Sequence, residues 1–246
     1  MNKKISIVMA YRNRKSQLLK TLQSIAKSIQ KNIEIIIVDD CSSEEHRISD
    51  ISNEFNMPIK VIEFQNKWWK NPCVSFNIGF KETKGDIIVI QNPECEHVND
   101  VLDYIVKHIN DKTYLCFACL ALGKKNKMSS INDKTFKSRI TNGNIWYCHN
   151  KFRSWAPHFT AAITRKNLVE KLGGFDERYA KEYFYDDLEF YQRVKRLGLN
   201  IITPDPVLYP YVIHQYHPNT NPKIESEINY KLYHNITLKE KGYKVN

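Results

Sequence analysis

Two pairs of adjacent carboxylates could do chemistry, because each pair borders an apolar or amphipathic segment. Asp39 and Asp40 follow the apolar residues 33–38, and Asp186 and Asp187 begin a helix-like segment. Burying such carboxylates costs free energy unless donors satisfy them. One acid of each pair could simply cap or complement the N-terminus of a helix. The other could accept a hydrogen bond from a ligand such as a nucleobase imide, or take a proton from a hydroxyl group.

Basic residues follow another apolar run near the start of the chain. Arg12 and Arg14 come just after residues 5–9. Guanidinium groups are forked donors that suit the oxygens of a diphosphate. A solvated basic turn explains the same two arginines equally well, so this stretch by itself leaves the choice open.

An amide, a proline and a carboxylate end a further apolar run, at Asn92, Pro93 and Glu94. The proline fixes φ and restrains the residue before it, so the two polar side chains leave the strand in set directions. An ordinary turn is the alternative. Far along the chain, His214 and His217 add imidazole groups. Single histidines are usually structural, but a carboxylate with an imidazole suits a hard or borderline divalent cation.

The elements that would position these residues alternate along the first half of the chain. Apolar runs predict strands, and a 3.6-residue periodicity predicts the helices between them. This alternation predicts an α/β fold with a mainly parallel sheet and helices on both faces. Ligands bind at the carboxyl ends of such strands, which places three polar strand ends together. The predicted strands cover residues 5–9, 33–38, 59–64 and 87–90, and the predicted helices cover 16–30 behind a Ser16 cap, 44–55, 72–84, 98–109, 165–172, 186–197 and 224–239.

Composition supports one folded domain with two functional halves, residues 1–122 and 123–246. The chain has 246 residues, 42% of them hydrophobic, and a formal charge of +10 that suggests an anionic partner. Its apolar runs are too short for a membrane span or a signal peptide, so we expect a cytoplasmic protein. Cys116 and Cys119 lie in an apolar run without a second such pair, which favours burial over zinc binding or redox chemistry.

The ordered set of motifs resembles glycosyltransferase family 2 with the GT-A fold, over nearly the full length of the chain. "ISIVMAYRNR" is similar to the first strand of that family, and its end is also similar to the Phe-Arg-Asn-Arg of β-1,4-galactosyltransferases and chondroitin polymerases. "EIIIVDDCS" resembles the family's uracil-binding Val-Asp-Asp-Gly-Ser, and "SFNIGF" falls on its Ala-Arg-Asn-x-Gly element. "GGFDERY" and "YDDLEF" are similar to its Gly-Gly-Phe-Asp-Glu and Glu-Asp-x-Asp-Leu.

The resemblance implies a nucleotide-sugar donor, expected to be a UDP-sugar, and a Mn²⁺ or Mg²⁺ cofactor. Asn92-Pro93-Glu94 takes the place of the family's metal-binding Asp-x-Asp, so Glu94 and His214 are the expected metal ligands, with His217 as second choice. Phe76 stands where the family usually has arginine, which shifts expected donor contacts to Lys70 or Arg12. The residues expected at the donor are Ala10, Tyr11, Arg12, Arg14, Asp39, Asp40, Lys70, Asn77, Asn92 and Pro93.

On the acceptor side, the resemblance implies that Asp187 is the general base of a single inverting displacement. Asp186, Trp155, Tyr183 and His217 are expected near a glycan or glycolipid acceptor, although core packing explains the aromatic residues equally well. Such an enzyme would act in polysaccharide biosynthesis, with peripheral membrane contact as a further expectation. The alternatives are a non-catalytic sugar-nucleotide-binding relative and a basic module that binds anions or nucleic acid. No recognised nucleic-acid motif appears, so a nucleic-acid partner is not expected.

Overall fold

The computed structural model describes residues 3–122, 149–150, 153–154, 159–218 and 226–246. The predicted acceptor residue Trp155 lies outside these ranges. In chain order the strands are β1 Ile5–Tyr11, β2 Ile33–Asp39, β3 Ile59–Glu63, β4 Ile87–Gln91, β5 Cys95–Val98, β6 Thr113–Cys116, β7 Cys119–Ala121, β8 His149–Asn150, β9 Arg153–Ser154, β10 Thr160–Thr164, β11 Asn200–Ile202 and β12 Tyr211–His214. The α-helices are α1 Lys15–Ala26, α2 Cys73–Lys81, α3 Val101–His108, α4 Asp186–Arg196 and α5 Glu227–Lys231.

A seven-stranded sheet forms the centre of the molecule, in the order β3-β2-β1-β4-β10-β6-β11. Strands β1 to β4 run parallel, whereas β10 is antiparallel to both of its neighbours and β11 is parallel to β6. The apolar runs of β1, β2 and β4 are almost entirely buried, as expected for strands covered on both faces. The predicted α/β class with a mainly parallel sheet is therefore confirmed.

A second sheet lies beside the first and combines distant parts of the chain. Its order is β5-β12-β7, with β12 antiparallel to β5 and parallel to β7. The sequence predicts no strand at residues 95–98, because so short a strand with alternating polarity gives little signal. The predicted halves, 1–122 and 123–246, contribute strands to both sheets.

Helices cover both faces of the central sheet. On one face Leu18 and Leu22 of α1 pack in the same buried cluster as Ile7 of β1. On the other face Phe76 and Phe80 of α2 pack in the cluster that holds Val8. Among the described residues, no helix has the length and apolar character needed to cross a membrane.

Two predicted helical details are wrong. Ser16 does not cap α1: the helix begins at Lys15, Arg14 occupies the cap position without a side-chain bond, and Ser16 bonds Gln17 instead. The helix predicted over residues 44–55 is replaced by two short 3₁₀ turns, Glu44–His46 and Ile51–Glu54. Arg47 between them is extended, with φ −60° and ψ 147°, and this conformation breaks the helical path. Other predicted helices are shorter, since α1 ends at Ala26 and α2 at Lys81.

Both cysteines of the CxxC pair are buried, as predicted. Cys116 ends β6 and Cys119 begins β7, and each has 1% of its surface exposed. The two residues between them carry the chain from the central sheet to the second sheet. Burial among apolar neighbours thus accounts for this pair.

Gly79 sets the distance between α2 and the sheet. A Cβ atom on Gly79 would lie 2.4 Å from Cγ1 of the fully buried Val8. We expect Gly79→Ala to lower the free energy of unfolding by about 1–3 kcal/mol, because overpacking outweighs the gain in helix propensity of about 1 kcal/mol. Urea unfolding followed by circular dichroism measures this. Gly242→Ala is the matched control, since a Cβ there meets nothing within 4 Å. Equal stabilities of the two variants would contradict the close-approach argument.

Candidate functional site

The ends of β1 and β2 are tied to each other by hydrogen bonds. The amide of Asp40 donates to the carbonyl oxygen of Tyr11 at 2.8 Å. Asn13 has a left-handed φ of 52°, and in this conformation its amide donates to Ser42 Oγ at 3.0 Å. Asn13 Oδ1 in turn accepts from the amide of Ser43 at 2.9 Å. These bonds fix the two loops as one polar edge at the carboxyl ends of the strands.

Asp40 is buried at this edge with its carboxylate satisfied by three side chains. Its Oδ1 accepts hydrogen bonds from Trp69 Nε1 at 2.7 Å and from Ser75 Oγ at 3.1 Å. Its Oδ2 forms an ion pair with Lys67. Lys67 and Trp69 were missed by sequence reasoning, although a basic and aromatic run, "NKWWKN", directly follows the third strand.

Asp39 is also buried, and it has fewer partners. Its Oδ1 accepts a hydrogen bond from the amide of Ser42 at 2.9 Å. Burial raises the pKa of Asp39 above its usual value, and the hydrogen bonds from Ser42 only partly offset this effect. Asp39 therefore differs from Asp40, whose carboxylate is taken up by the side chains that follow β3.

Glu94 is the centre of a charged cluster drawn from both ends of the chain. Its carboxylate is 2% exposed, and Arg14 lies 2.8 Å from Oε1. The same oxygen lies 3.2 Å from His214 Nε2 and 3.7 Å from His217 Nε2. Burial acts to raise the pKa of Glu94, but the hydrogen bond from His214 and the charge of Arg14 lower it to about 2. Glu94 is thus an anion throughout the neutral range.

The same cluster has the composition and spacing of a cation site. One ligand atom each from Glu94, His214 and His217 lies within 4.8 Å of the others. Within the described part of the chain, Glu94 Oε2 is buried and has no hydrogen-bond partner. His217 Nδ1 donates to the carbonyl oxygen of Pro218 at 2.9 Å, which directs the lone pair of Nε2 toward the cluster. One carboxylate and two imidazoles suit Mn²⁺ better than Ca²⁺.

Asn92 and Pro93 form the corner between β4 and β5. The amide of Asn92 donates to the carbonyl oxygen of Phe159 at 2.8 Å, and its own carbonyl accepts from Cys95 at 3.1 Å. Pro93 is buried. This corner directs Glu94 toward Arg14. The predicted meeting of three polar strand ends is therefore observed.

The second carboxylate pair begins α4. Asp186 Oδ1 accepts a hydrogen bond from Asn71 Nδ2 at 2.8 Å, and Asp187 Oδ1 accepts from the amide of Leu188 at 2.7 Å. Burial, together with the neighbouring charge of Asp186, raises the pKa of Asp187 to about 7. A carboxyl group with this pKa can exchange protons near neutral pH.

The segment of residues 67–71 joins the two carboxylate pairs. Its Lys67 and Trp69 contact Asp40, and its Asn71 contacts Asp186. The amide of Asn71 also donates to the carbonyl oxygen of Ala180 at 3.1 Å. The chain therefore connects the end of β2 to the start of α4 through one short segment.

Some predicted site residues are engaged elsewhere. The side-chain Nδ2 of Asn77 donates to the carbonyl oxygen of Phe175 and to the carboxylate of Glu177. Its Oδ1 accepts from the backbone amide of Phe175, so the side chain fixes α2 to that loop. Lys70 pairs with Glu182 at 2.8 Å on the exposed side of its segment. Four further predicted residues have other settings. Tyr11 is buried, and its hydroxyl donates to the carbonyl oxygen of His46 at 2.6 Å. Arg12 is exposed, and Ala10 and Tyr183 are half-buried.

Comparison with known proteins gives a family match over most of the chain. The model of the family described as "Glycosyl transferase family 2" matches residues 6–173. The "Probable glycosyltransferase YdaM" of Bacillus subtilis (strain 168) is 27% identical over 213 residues, which cover 80% of this chain and 48% of that protein. The chain therefore spans about half the length of this curated relative.

Two solved structures are similar in fold. S. aureus TarS 1–349 in complex with UDP-GlcNAc has a TM-score of 0.62 and 16% identity, and the match covers 89% of this chain and 60% of that one. The mannosyltransferase PcManGT from Pyrobaculum calidifontis, in complex with GDP-Man and Mn²⁺, has a TM-score of 0.59 and 18% identity, with 86% and 56% covered. At these identities the likeness concerns the fold alone.

The raised pKa of Asp187 predicts a pH-dependent stability effect. Because its folded pKa of about 7 lies above the unfolded value, folding retains a proton, and the associated stability is lost as pH rises toward 7. Asp187→Asn removes the ionised form, so it should raise the melting temperature at pH 8 by about 2–4 °C more than at pH 5. Thermal unfolding at both pH values measures this difference. The exposed Asp50 gives a control, Asp50→Asn. A pH-independent effect of Asp187→Asn would contradict the raised pKa of Asp187.

Proposed function

The chain belongs to glycosyl transferase family 2 and has a GT-A-like α/β fold, and we propose that it is an inverting glycosyltransferase that moves a sugar from a UDP-sugar to an acceptor hydroxyl group. One observation carries this proposal. Residues 67–71 contact the carboxylate of Asp40 at one end and that of Asp186 at the other. The same segment therefore contacts the strand end proposed for the nucleotide and the start of the helix that carries the candidate base, Asp187.

We propose that the donor's nucleotide binds beside Asp39 and its diphosphate beside the Arg14–Glu94 cluster. Asp39 has fewer protein donors than Asp40, so it is the better acceptor for the imide N–H of uracil. Asp40 then acts by holding Lys67 and Trp69. Arg12, exposed at the same edge, can add a charge to the diphosphate. The UDP-GlcNAc complex of TarS supports a uridine donor, whereas the GDP-Man complex of PcManGT makes a GDP-sugar the alternative.

We propose that Asp187 is the general base. Its carboxylate takes the proton of the acceptor hydroxyl while that oxygen forms a bond to the anomeric carbon. The bond from this carbon to the diphosphate oxygen breaks on the opposite side, the electron pair leaves with UDP, and the configuration inverts. A base with a pKa of about 7 combines sufficient ionisation with useful basicity at neutral pH. A glycan or glycolipid hydroxyl is the proposed acceptor.

We propose that Glu94, His214 and His217 hold a divalent cation, Mn²⁺ or Mg²⁺. The buried unpartnered oxygen of Glu94 and the orientation of His217 support this donor set. When bound, such a cation offsets negative charge on the leaving diphosphate. Arg14 contributes a second positive charge at the same carboxylate. His214, the last residue of β12, is also the residue that resembles the C-terminal metal-binding histidine of the galactosyltransferase-like branch.

A non-catalytic, sugar-nucleotide-binding protein is the second candidate. It is favoured by Asn92 and Pro93, which stand where the family's first metal-binding aspartate and its neighbour are expected. Such a protein would bind UDP-sugar through the same edge but would release no UDP. The difference lies in turnover, not in binding.

We expect release of UDP from UDP-sugars and little release of GDP from GDP-sugars.

In Asp187→Asn, sugar transfer should fall by about two to four orders of magnitude, because no base takes the proton of the acceptor hydroxyl group. Affinity for UDP should stay near that of the wild type, since the donor contacts come from other residues. Coupled UDP-release assays and calorimetry measure the two quantities. Asp50→Asn is the matched control, and UDP binding without turnover in the wild type would favour the second candidate.

We expect Mn²⁺ to bind the protein in the absence of nucleotide. Glu94→Gln should weaken this binding by at least about tenfold, because it replaces the anionic ligand with a neutral amide. Electron paramagnetic resonance of free Mn²⁺ measures the affinity directly. Glu96→Gln is the control, because it changes a half-buried carboxylate of β5 that lies two residues after Glu94. If both variants bind Mn²⁺ as the wild type does, the cluster is not a cation site. Arg14 would then be the group that offsets the negative charge of the diphosphate.

A further inference from the structure

The turn directly before the candidate base has a strained backbone. Phe184 and Tyr185 have left-handed φ angles of 71° and 73°, although neither is glycine. Such conformations are disfavoured for residues with a Cβ and persist only where the surroundings hold them. Asp186 and Asp187 follow at once, and the amide of Glu189 donates to the carbonyl oxygen of Tyr185 at 2.9 Å. The strained turn therefore sets where α4 begins.

One buried side chain holds this turn. Asn229 has 0% of its surface exposed, and its Nδ2 lies 2.9, 3.1 and 3.0 Å from the carbonyl oxygens of Glu182, Tyr183 and Phe184. A fourth carbonyl, that of Tyr179, lies at 3.2 Å. The reverse orientation of the amide would place its oxygen against four carbonyl oxygens, so the nitrogen must face the turn. We call these five residues the Asn229 clamp.

The helix that carries Asn229 and the π-helical turn that follows it, Leu232–Ile236, also hold the strained turn. Ser226 Oγ caps α5 by accepting a hydrogen bond from the backbone N–H of Asn229 at 3.2 Å. The ring of Tyr233 packs against that of Tyr185 with centroids 5.3 Å apart, and both rings are buried. The backbone and the side chain of the turn are thus held from the same side.

We propose that Asn229 is a positioning residue for Asp187, because its amide holds the strained turn from which α4 and the base project. This inference rests on the proposed function, in which Asp187 takes the acceptor proton. The donor edge is built from β1, β2, β4 and residues 67–75, none of which contacts Asn229 in the hydrogen bonds described. Loss of the clamp should therefore reduce the rate of transfer and spare nucleotide binding.

The chain offers a matched control. Asn167 is also fully buried, its Nδ2 donates to a single backbone carbonyl, that of Asp111, at 2.9 Å, and its Oδ1 has no partner among the described residues. Asn229 shares this unpartnered Oδ1. Asn167→Ala therefore removes the same buried amide from a part of the fold that does not hold Asp187.

We expect Asn229→Ala to lower kcat by about 10- to 100-fold, since small misplacements of reacting groups have effects of this size. The KM for the donor and the affinity for UDP should remain within about twofold of the wild-type values. Hydrogen exchange should become faster at the amides of Leu188 and Glu189, which bond Asp187 and Tyr185 in the folded protein. Asn167→Ala should change neither kcat nor these exchange rates.

Unchanged kcat or unchanged exchange in Asn229→Ala would overturn the positioning role. Equal losses of kcat in the two alanine variants would overturn it as well, since general destabilisation would then suffice. If the wild type turns over no UDP-sugar, the proposed function fails, while the exchange rates still decide whether Asn229 holds the turn. If Asn229→Ala does not fold, hydrogen exchange of the wild-type protein in increasing urea tests the clamp instead. Residues 182–189 and 226–236 should then lose their protection from exchange at the same urea concentration. Loss of protection at different concentrations would exclude the clamp.

Discussion

The burial of the Asp40 carboxylate is the constraint on which the candidate site depends. A carboxylate removed from water must be hydrogen-bonded, and here all three partners come from residues 67–75. Satisfying Asp40 therefore fixes the path of the chain after β3. That path carries Asn71 to Asp186, 115 positions further along the sequence. The desolvation of one side chain thus links a strand end to a helix start, and the two carboxylate pairs become parts of one site.

Opposite electrostatic environments give two carboxylates different pKa values. Glu94 lies among Arg14 and two histidines, and its pKa falls to about 2 despite burial. Asp187 lies beside another carboxylate, that of Asp186, and burial together with this neighbouring charge raises its pKa to about 7. Separated pKa values of this kind distinguish a permanent anion from a group that exchanges protons. The fold produces this separation by placing Arg14 and two histidines around Glu94 and a second carboxylate beside Asp187.

Sequence reasoning predicted the parts of the fold that have a long or continuous signal. The apolar runs of β1, β2 and β4 predicted a parallel sheet, and the polar residues after them predicted the ligand edge. Strand β5 has only four residues and was not predicted.

Contacts between distant segments explain what sequence reasoning missed at the site. Lys67 and Trp69 matter because of where β3 ends, and Asn229 matters because of four carbonyl groups that no sequence pattern specifies. Likewise, the 3₁₀ turns after β2 follow from an extended backbone at Arg47, which the local acidic and polar residues did not indicate.

The interleaving of strands has a further consequence for biosynthesis. Strand β10 inserts between β4 and β6, β11 pairs with the other edge of β6, and β12 inserts between β5 and β7. A nascent chain that has emerged only to residue 122 therefore leaves five edges of the described strands without their native partners, one each of β4, β5 and β7 and both of β6. Such edges invite intermolecular pairing until the later strands arrive. Pairing of strands that are far apart in sequence also slows folding. Productive folding of these two sheets should therefore wait until β12 has been synthesised, and the demand for chaperones should be greatest just before β12 is released from the ribosome.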